Sequence, residues 1–369
     1  MDKRLYWVGF NLVKGIGAVR LQATLDHFGN LETAWKAPMA EWQTSGLSDR
    51  ILQNLQRVRQ DVDLEQLGQK YADAGIRFYT WEDVDYPRRL KEINQAPPVI
   101  FVAGDMRPED EWAVAIVGTR RVTAYGRQVT EELATFLAQN GITVVSGLAR
   151  GIDGIAHEAC LRAGGRTFAV LGSGVDRIYP PEHRNLAARI VESGALISDY
   201  PLGTEPDGVN FPPRNRIISG ISIATIVVEA GETSGALITA EFAAEQGRDV
   251  FAVPGIIYAP QSKGTNRLIV QGARPLVEKQ EILELLNLDK IQHIQSARIS
   301  LPADELETQI IKILSNETYH IDEICVHSGL PIEKVSATLA LMELKGMVRQ
   351  VGGMTYMLLH DAETEYRTE

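Results

Sequence analysis

The apolar positions along the chain change period, and the changes divide it. Up to about residue 77 they follow helical spacing: Leu5, Val8 and Leu12, then Val19, Leu21, Leu25 and Phe28. Ser48, after Ser45-Gly46-Leu47, is placed as a helix N-cap. Residues 78–112 read as a bridge, with an edge strand starting after the Pro97-Pro98 turn. From about 113 to 285, short apolar runs alternate with helical stretches. Strands are predicted at Ala113–Val117, Thr143–Ser146, Thr167–Leu171, Leu196–Ser198, Thr225–Val228, Val250–Val253 and Pro275–Val277. Helices are predicted between them, at Tyr125–Asn140, Gly154–Ala163, Glu182–Glu192, Ala236–Gln246 and Asn266–Gln271. This alternation is that of an α/β doubly wound, mostly parallel sheet. Residues 286–303 read as a linker. Residues 304–360 read as three helices and a β-hairpin, the plan of a winged helix, and 361–369 as a flexible tail.

Composition narrows the class. The chain has 369 residues, enough for two or three domains. No apolar run approaches the ~20 residues of a membrane span, and the amino terminus does not read as a signal peptide. Two distant cysteines, Cys160 and Cys325, carry no metal spacing and point to a reduced cytoplasm. The net charge of −11 opposes a diffuse electrostatic binder of nucleic acid. Its distribution changes that picture, because 17 of the 20 basic residues between 81 and 285 are arginine. Arginine presents a fixed fork that matches phosphate.

Those arginines stand where strands end. Gly118-Thr119-Arg120 follows the first core strand, and Ser146-Gly147-Leu148-Ala149-Arg150 follows the second. Phe211 precedes the trio Arg214, Asn215 and Arg216. A doubly wound sheet binds ligands at the carboxyl ends of its strands. Small residues there admit a phosphate, and Phe211 offers a face for a base. The alternative is that the arginines hold loops through carboxylates such as Asp153 and Glu229. Gln261-Ser262-Lys263-Gly264-Thr265-Asn266 reads as a polar loop suited to phosphate contact.

Other chemistry is thinner. The dinucleotide fingerprint is broken, since Gly172-Ser173-Gly174 meets Arg177 where a third glycine belongs. Glu229 and Glu241 read either as an acid/base pair or as a helix charge and a packing contact. Lys14-Gly15-Ile16-Gly17 reads as a packing turn or as a helix-hairpin-helix phosphate contact. No HExxH, CxxC or GxSxG occurs. No catalytic residue, metal or cofactor is expected. The third helix of the winged unit, Pro331 to Lys345, balances Glu333 and Glu343 against Lys334 and Lys345, so packing or partner binding is preferred to duplex reading.

The segments IVGTR, SGLARGID, AVLGSGVDRIYP, FPPRNRIISG, VVEAGETSGALITA and VFAVPG, in that order, resemble the DNA-processing protein A family, also called Smf. The resemblance covers essentially the whole chain. It implies an extended Rossmann-like domain at 78–285, preceded by a helical SAM or helix-hairpin-helix-like domain at 1–77 and followed by a winged helix at 304–360. It also implies a non-enzymatic, cytoplasmic protein that binds single-stranded DNA. Such a protein protects incoming DNA, loads the RecA recombinase in natural transformation and dimerises through the Rossmann domain. The DNA-contact residues it implies are Arg120 and Lys263, then Arg214, Arg216 and Phe211. Many relatives carry a lysine after the Tyr-Pro pair; here Pro181-Glu182-His183-Arg184 follows, leaving any such contact to His183 or Arg184. The sheet also resembles the lysine-decarboxylase-like phosphoribohydrolases, but EAGETSGALITAE lacks their PGGxGTxxE glycine run.

Overall fold

The computed structural model describes residues 2–285, 305–314, 318–344 and 348–358. It divides into two units, 1–279 and 280–369. The segment 286–303, read above as a linker, and the tail 361–369 lie outside the described residues.

The first unit is organised by a nine-stranded sheet. Its strands are β1 (Ile76–Thr80), β2 (Val99–Gly104), β3 (Ala113–Val117), β4 (Thr143–Ser146), β5 (Thr167–Val170), β6 (Ala195–Ser198), β7 (Ala224–Val227), β8 (Asp249–Ala252) and β9 (Arg274–Pro275). The order is β1-β2-β6-β5-β4-β3-β7-β8-β9. From β6 to β9 every neighbouring pair is parallel. The chain starts at β3, winds outward through β4 and β5 to β6, then returns to β7 on the other side of β3. The switch point therefore lies between the carboxyl ends of β3 and β7, where such sheets place their ligands.

The alternation of side chains explains why both faces are covered. Along β2, Val99 and Phe101 enter one core and Ile100 and Val102 the other, the period-2 pattern of a strand. One face is covered by the helices Phe211–Ile221 and Gly235–Glu245 through Ile217, Ile218, Ala236 and Ala240. The other receives the helix Arg184–Ser193 and the amino-terminal helices. Tyr71 stacks on Phe101 at 5.1 Å between centroids, and Trp7 meets Trp81 edge-on at 5.7 Å. One hydrophobic cluster thus runs from the amino-terminal helices onto the sheet.

The edge-strand expectation needs correction. The strand after Pro97-Pro98 is second from the edge, between β1 and β6. Ile76–Thr80 forms the edge instead, pairing antiparallel with β2.

The second unit has helices Glu305–Leu314, Ile321–Ser328 and Ile332–Leu344 and a small sheet. That sheet comprises β10 (Tyr319–His320), β11 (Val348–Gly352) and β12 (Thr355–Leu358), in the order β10-β12-β11. Ile310, Leu314, Ile324, Val335, Leu339 and Met342 fill its core. This is the expected winged helix. Glu343 accepts a hydrogen bond from the Gln350 amide at 3.1 Å, tying the third helix to the wing. Lys345, counted in that helix from the sequence, lies outside the described residues.

Candidate functional site

A groove of about 890 Å³ opens at the switch point. Its floor is the turn after β3. The Thr119 amide donates to the Glu229 carbonyl at 2.7 Å, so the turns after β3 and β7 are pinned together. The loop after β4 closes against the same turn. Gly151 has φ +79°, and a Cβ there would sit 2.3 Å from the Thr119 carbonyl oxygen. Only glycine allows that approach. Arg120 and Arg121 are exposed, and no ion pair engages either among the described residues.

Phe211 forms the wall. Its ring centroid is 6.0 Å from the Arg120 guanidinium carbon, 5.9 Å from that of Arg214 and 5.7 Å from the Tyr179 ring. An aromatic pair with an exposed arginine beside it can stack a base and meet its phosphate.

The trio at 214–216 is dispersed rather than gathered. The helix begins at Phe211, with prolines in its first turn. Successive helical residues point about 100° apart, at 3.6 per turn. Arg214 is buried under the groove and donates to the carbonyls of Gly147, at 2.8 Å, and Val170. Burial pulls its pKa down to about 10. Asn215 lines the groove. Arg216 turns away, pairing with Asp199 at 2.7 Å and donating to the Gln95 carbonyl at 2.8 Å.

Buried carboxylates hold the loops. Asp153 accepts from the Gly147 amide at 3.1 Å; burial raises its pKa, and the Arg214 charge opposes that rise. Ser146 spends its hydroxyl on the Ile116 carbonyl at 2.6 Å. Glu229 accepts from the Thr123 amide at 3.0 Å and from its hydroxyl at 2.5 Å, at the start of the helix Ala124–Gln139. Glu241 lines a separate cleft with Leu237 and Arg267. The two candidate acid/base carboxylates are therefore not brought together.

The expected polar loop at 261–266 is mostly helix. A 3₁₀ turn, Pro260–Ser262, leads into the helix Lys263–Val270, three residues earlier than predicted. Gly264 is buried, its amide donating to the Ala230 carbonyl at 2.8 Å. Asn266 both donates to and accepts from the Gly255 backbone, at 3.0 and 3.1 Å. Lys263 stays exposed, two residues past the groove-lining Gln261 and 3.8 Å from Glu232.

Sequence comparison decides the family. The family model described as DNA recombination-mediator protein A matches residues 77–287. The chain belongs to this family. A DprA winged helix domain model matches residues 295–354. Protein Smf of Synechocystis is 37% identical over 392 aligned residues, covering 96% of this chain and 98% of Smf. The DNA processing protein DprA of Bacillus subtilis is 43% identical over 226 residues, covering 61% and 76%. DprA from Streptococcus pneumoniae, solved by X-ray crystallography, superposes with a TM-score of 0.67 at 32% identity, covering 76% of this chain and 97% of that one. DprA from Helicobacter pylori, solved to describe its single-stranded DNA binding mode, gives 0.52 at 31% identity, covering 58% and 97%.

In this member of the DNA recombination-mediator protein A family, the segment after Tyr179-Pro180 closes a second groove. His183 fixes it, its Nδ1 lying 2.9 Å from the Leu148 carbonyl oxygen. Arg184 begins a helix and is exposed. Arg150 is taken by Glu182, its Nε donating to Oε1 at 2.5 Å. Sequence reasoning passed over Arg121 and Tyr179 as groove residues. Arg121 could have been found by continuing past the GTR turn, and Tyr179 as the one aromatic in the Gly172–Pro181 loop.

Proposed function

We propose that this chain binds single-stranded DNA along the switch-point groove and acts in recombination by handing the coated strand to a RecA-type recombinase. The observation that carries the binding step is the Arg120–Phe211–Tyr179 arrangement on the groove wall. It supplies an unpaired guanidinium for phosphate beside two rings for bases. The Helicobacter pylori relative, with its single-stranded DNA binding mode, supports the same reading. Lys263, Asn215 and the Gly118-Thr119 turn extend the contact surface. Arg214, Ser146, Gly147, Gly264 and Asn266 serve it indirectly, by setting loop positions.

The recombinase step rests on the family description, that of a recombination mediator. Protection of DNA arriving in natural transformation is the same coating applied to an incoming strand. Dimerisation through the sheet unit is supported by exposed Ile256, Ile257 and Tyr258 in one loop and Val270 at the end of the following helix. Action in the cytoplasm accords with two unbridged cysteines. No helix among the described residues is long and apolar enough to cross a membrane.

The role is binding, not turnover. Glu229, the carboxylate that a phosphoribohydrolase reading would make catalytic, is committed to Thr123. Release of free base from a nucleoside monophosphate would restore the hydrolase reading. Titration of a labelled oligonucleotide against salt tests the proposal. With three or four phosphates neutralised, log K should fall against log salt with a slope of about −2 to −3. Binding indifferent to salt would refute it.

A further inference from the structure

The exposed cations at the strand ends fall into two classes. Arg120 and Arg121, after β3, have no ion-pair partner among the described residues. Arg150, after β4, and Lys263, beyond β8, each face a carboxylate: Glu182 at 2.5 Å and Glu232 at 3.8 Å. In sheet order, β4 and β8 stand on opposite sides of the β3–β7 switch point. The two pairs therefore flank the unpaired arginines.

Neither pair is structural in the way the buried pairs are. Side-chain exposure is 56% and 49% for Arg150 and Glu182, and 49% and 65% for Lys263 and Glu232. Arg216 and Asp199, by contrast, are 17% and 16% exposed. Exposed pairs contribute little to stability. Their place matters more: Arg150 lines the narrow passage beside Phe211, and Glu182 lines the second groove, of about 500 Å³, which also reaches Arg120.

We propose that Glu182 and Glu232 are internal competitors of the nucleic-acid backbone, each occupying the phosphate position of its cation until a strand displaces it. The inference rests on the single-strand reading of the groove. A carboxylate presents two oxygens to a guanidinium much as a phosphate does. Their hydrogen bond holds the Glu182 carboxyl below its ordinary pKa and Arg150 above its own, so both stay charged near neutrality. A mononucleotide offers one phosphate and must open a pair to use either cation. A strand offers consecutive phosphates. Held first at Arg120, it meets Arg150 and Lys263 at high effective concentration. The two carboxylates thus lower the strand's affinity without closing the site to it.

The test uses the full chain with E182Q, E232Q and the double variant. E241Q is the control, because it makes the same charge change in a different cleft. Affinity for a labelled single strand is measured at low salt. Each gate variant should bind about three- to fivefold more tightly, as expected from losing an exposed pair. The double variant should approach the product of the two effects, with E241Q unchanged. Wild-type binding with E182Q and E232Q no tighter than E241Q overturns the inference alone. Absence of wild-type binding overturns the single-strand reading and the inference with it. E232Q carries the test independently if E182Q melts early.

Discussion

The Arg120 guanidinium carbon lies 6.0 Å from the centroid of the Phe211 ring. The pair joins the turn after β3 to the first residue of the helix Phe211–Ile221, 91 residues further along the chain. It puts a phosphate-binding group and a base-stacking surface on the same wall.

Replacing Phe211 by alanine should therefore weaken single-strand binding. Loss of one stacking platform costs about 1–3 kcal/mol, on the order of five- to a hundredfold in affinity. Fluorescence anisotropy checks it, and F211W should retain most of the affinity. Equal binding by F211A would remove the ring from the site.

Arg214 should behave differently from Arg120, although both approach the same ring. R214A removes a buried cation and leaves Asp153 without its opposing charge, which should destabilise by about 3–5 kcal/mol. R120A removes an exposed group and should shift stability by less than about 0.5 kcal/mol. Chemical denaturation separates them. A stable R214A protein would contradict the loop-holding role.

The sequence made most of this architecture legible, for a physical reason. Strands buried on both faces are short apolar runs, and the runs at Ala113–Val117 and Thr143–Ser146 match β3 and β4 residue for residue. The strand at Ile76–Thr80 was hidden, because Arg77 interrupts its apolar pattern and it sits where the helical region gives way. Residues 214–216 misled for another reason. Adjacency in sequence reads as adjacency in space only when the segment is extended, and two prolines in the first turn of a helix resemble a loop. Which carboxylate answers which arginine was open in the sequence, because Asp199 and Arg216 meet only through the fold.

Glu229 offers a further check. It accepts two hydrogen bonds from Thr123, and Thr123 caps the helix Ala124–Gln139 through the Gly126 amide. T123A should cost about 1–2 kcal/mol, and E229Q a similar amount, measured by thermal melting. Single-strand affinity below the melting range should change little. A large affinity loss in a fully folded E229Q protein would contradict the structural role.

His157 sets a pH dependence. It is fully buried, and the Thr167 hydroxyl, which donates to the Val144 carbonyl, accepts its Nδ1 proton at 2.7 Å. Burial pushes its pKa down to about 3, against about 6.5 in an unfolded chain. The folded state thus holds a neutral ring where the unfolded state takes up a proton. Its stabilising contribution is complete above about pH 6.5 and is lost progressively as pH falls towards 3. Melting curves between pH 7 and 4.5 should show a steeper loss for wild type than for H157Q. Parallel profiles would contradict the assignment.

Whether the groove binds exposed bases is decided by anisotropy with a labelled single strand and its matched duplex, for wild type and R120A. The single strand should bind more tightly, because bases must be exposed to stack. R120A should bind every sequence more weakly and to the same degree, because a phosphate contact carries no sequence information. Equal or tighter binding to the duplex, or an R120A affinity equal to wild type, would contradict single-strand binding in the groove.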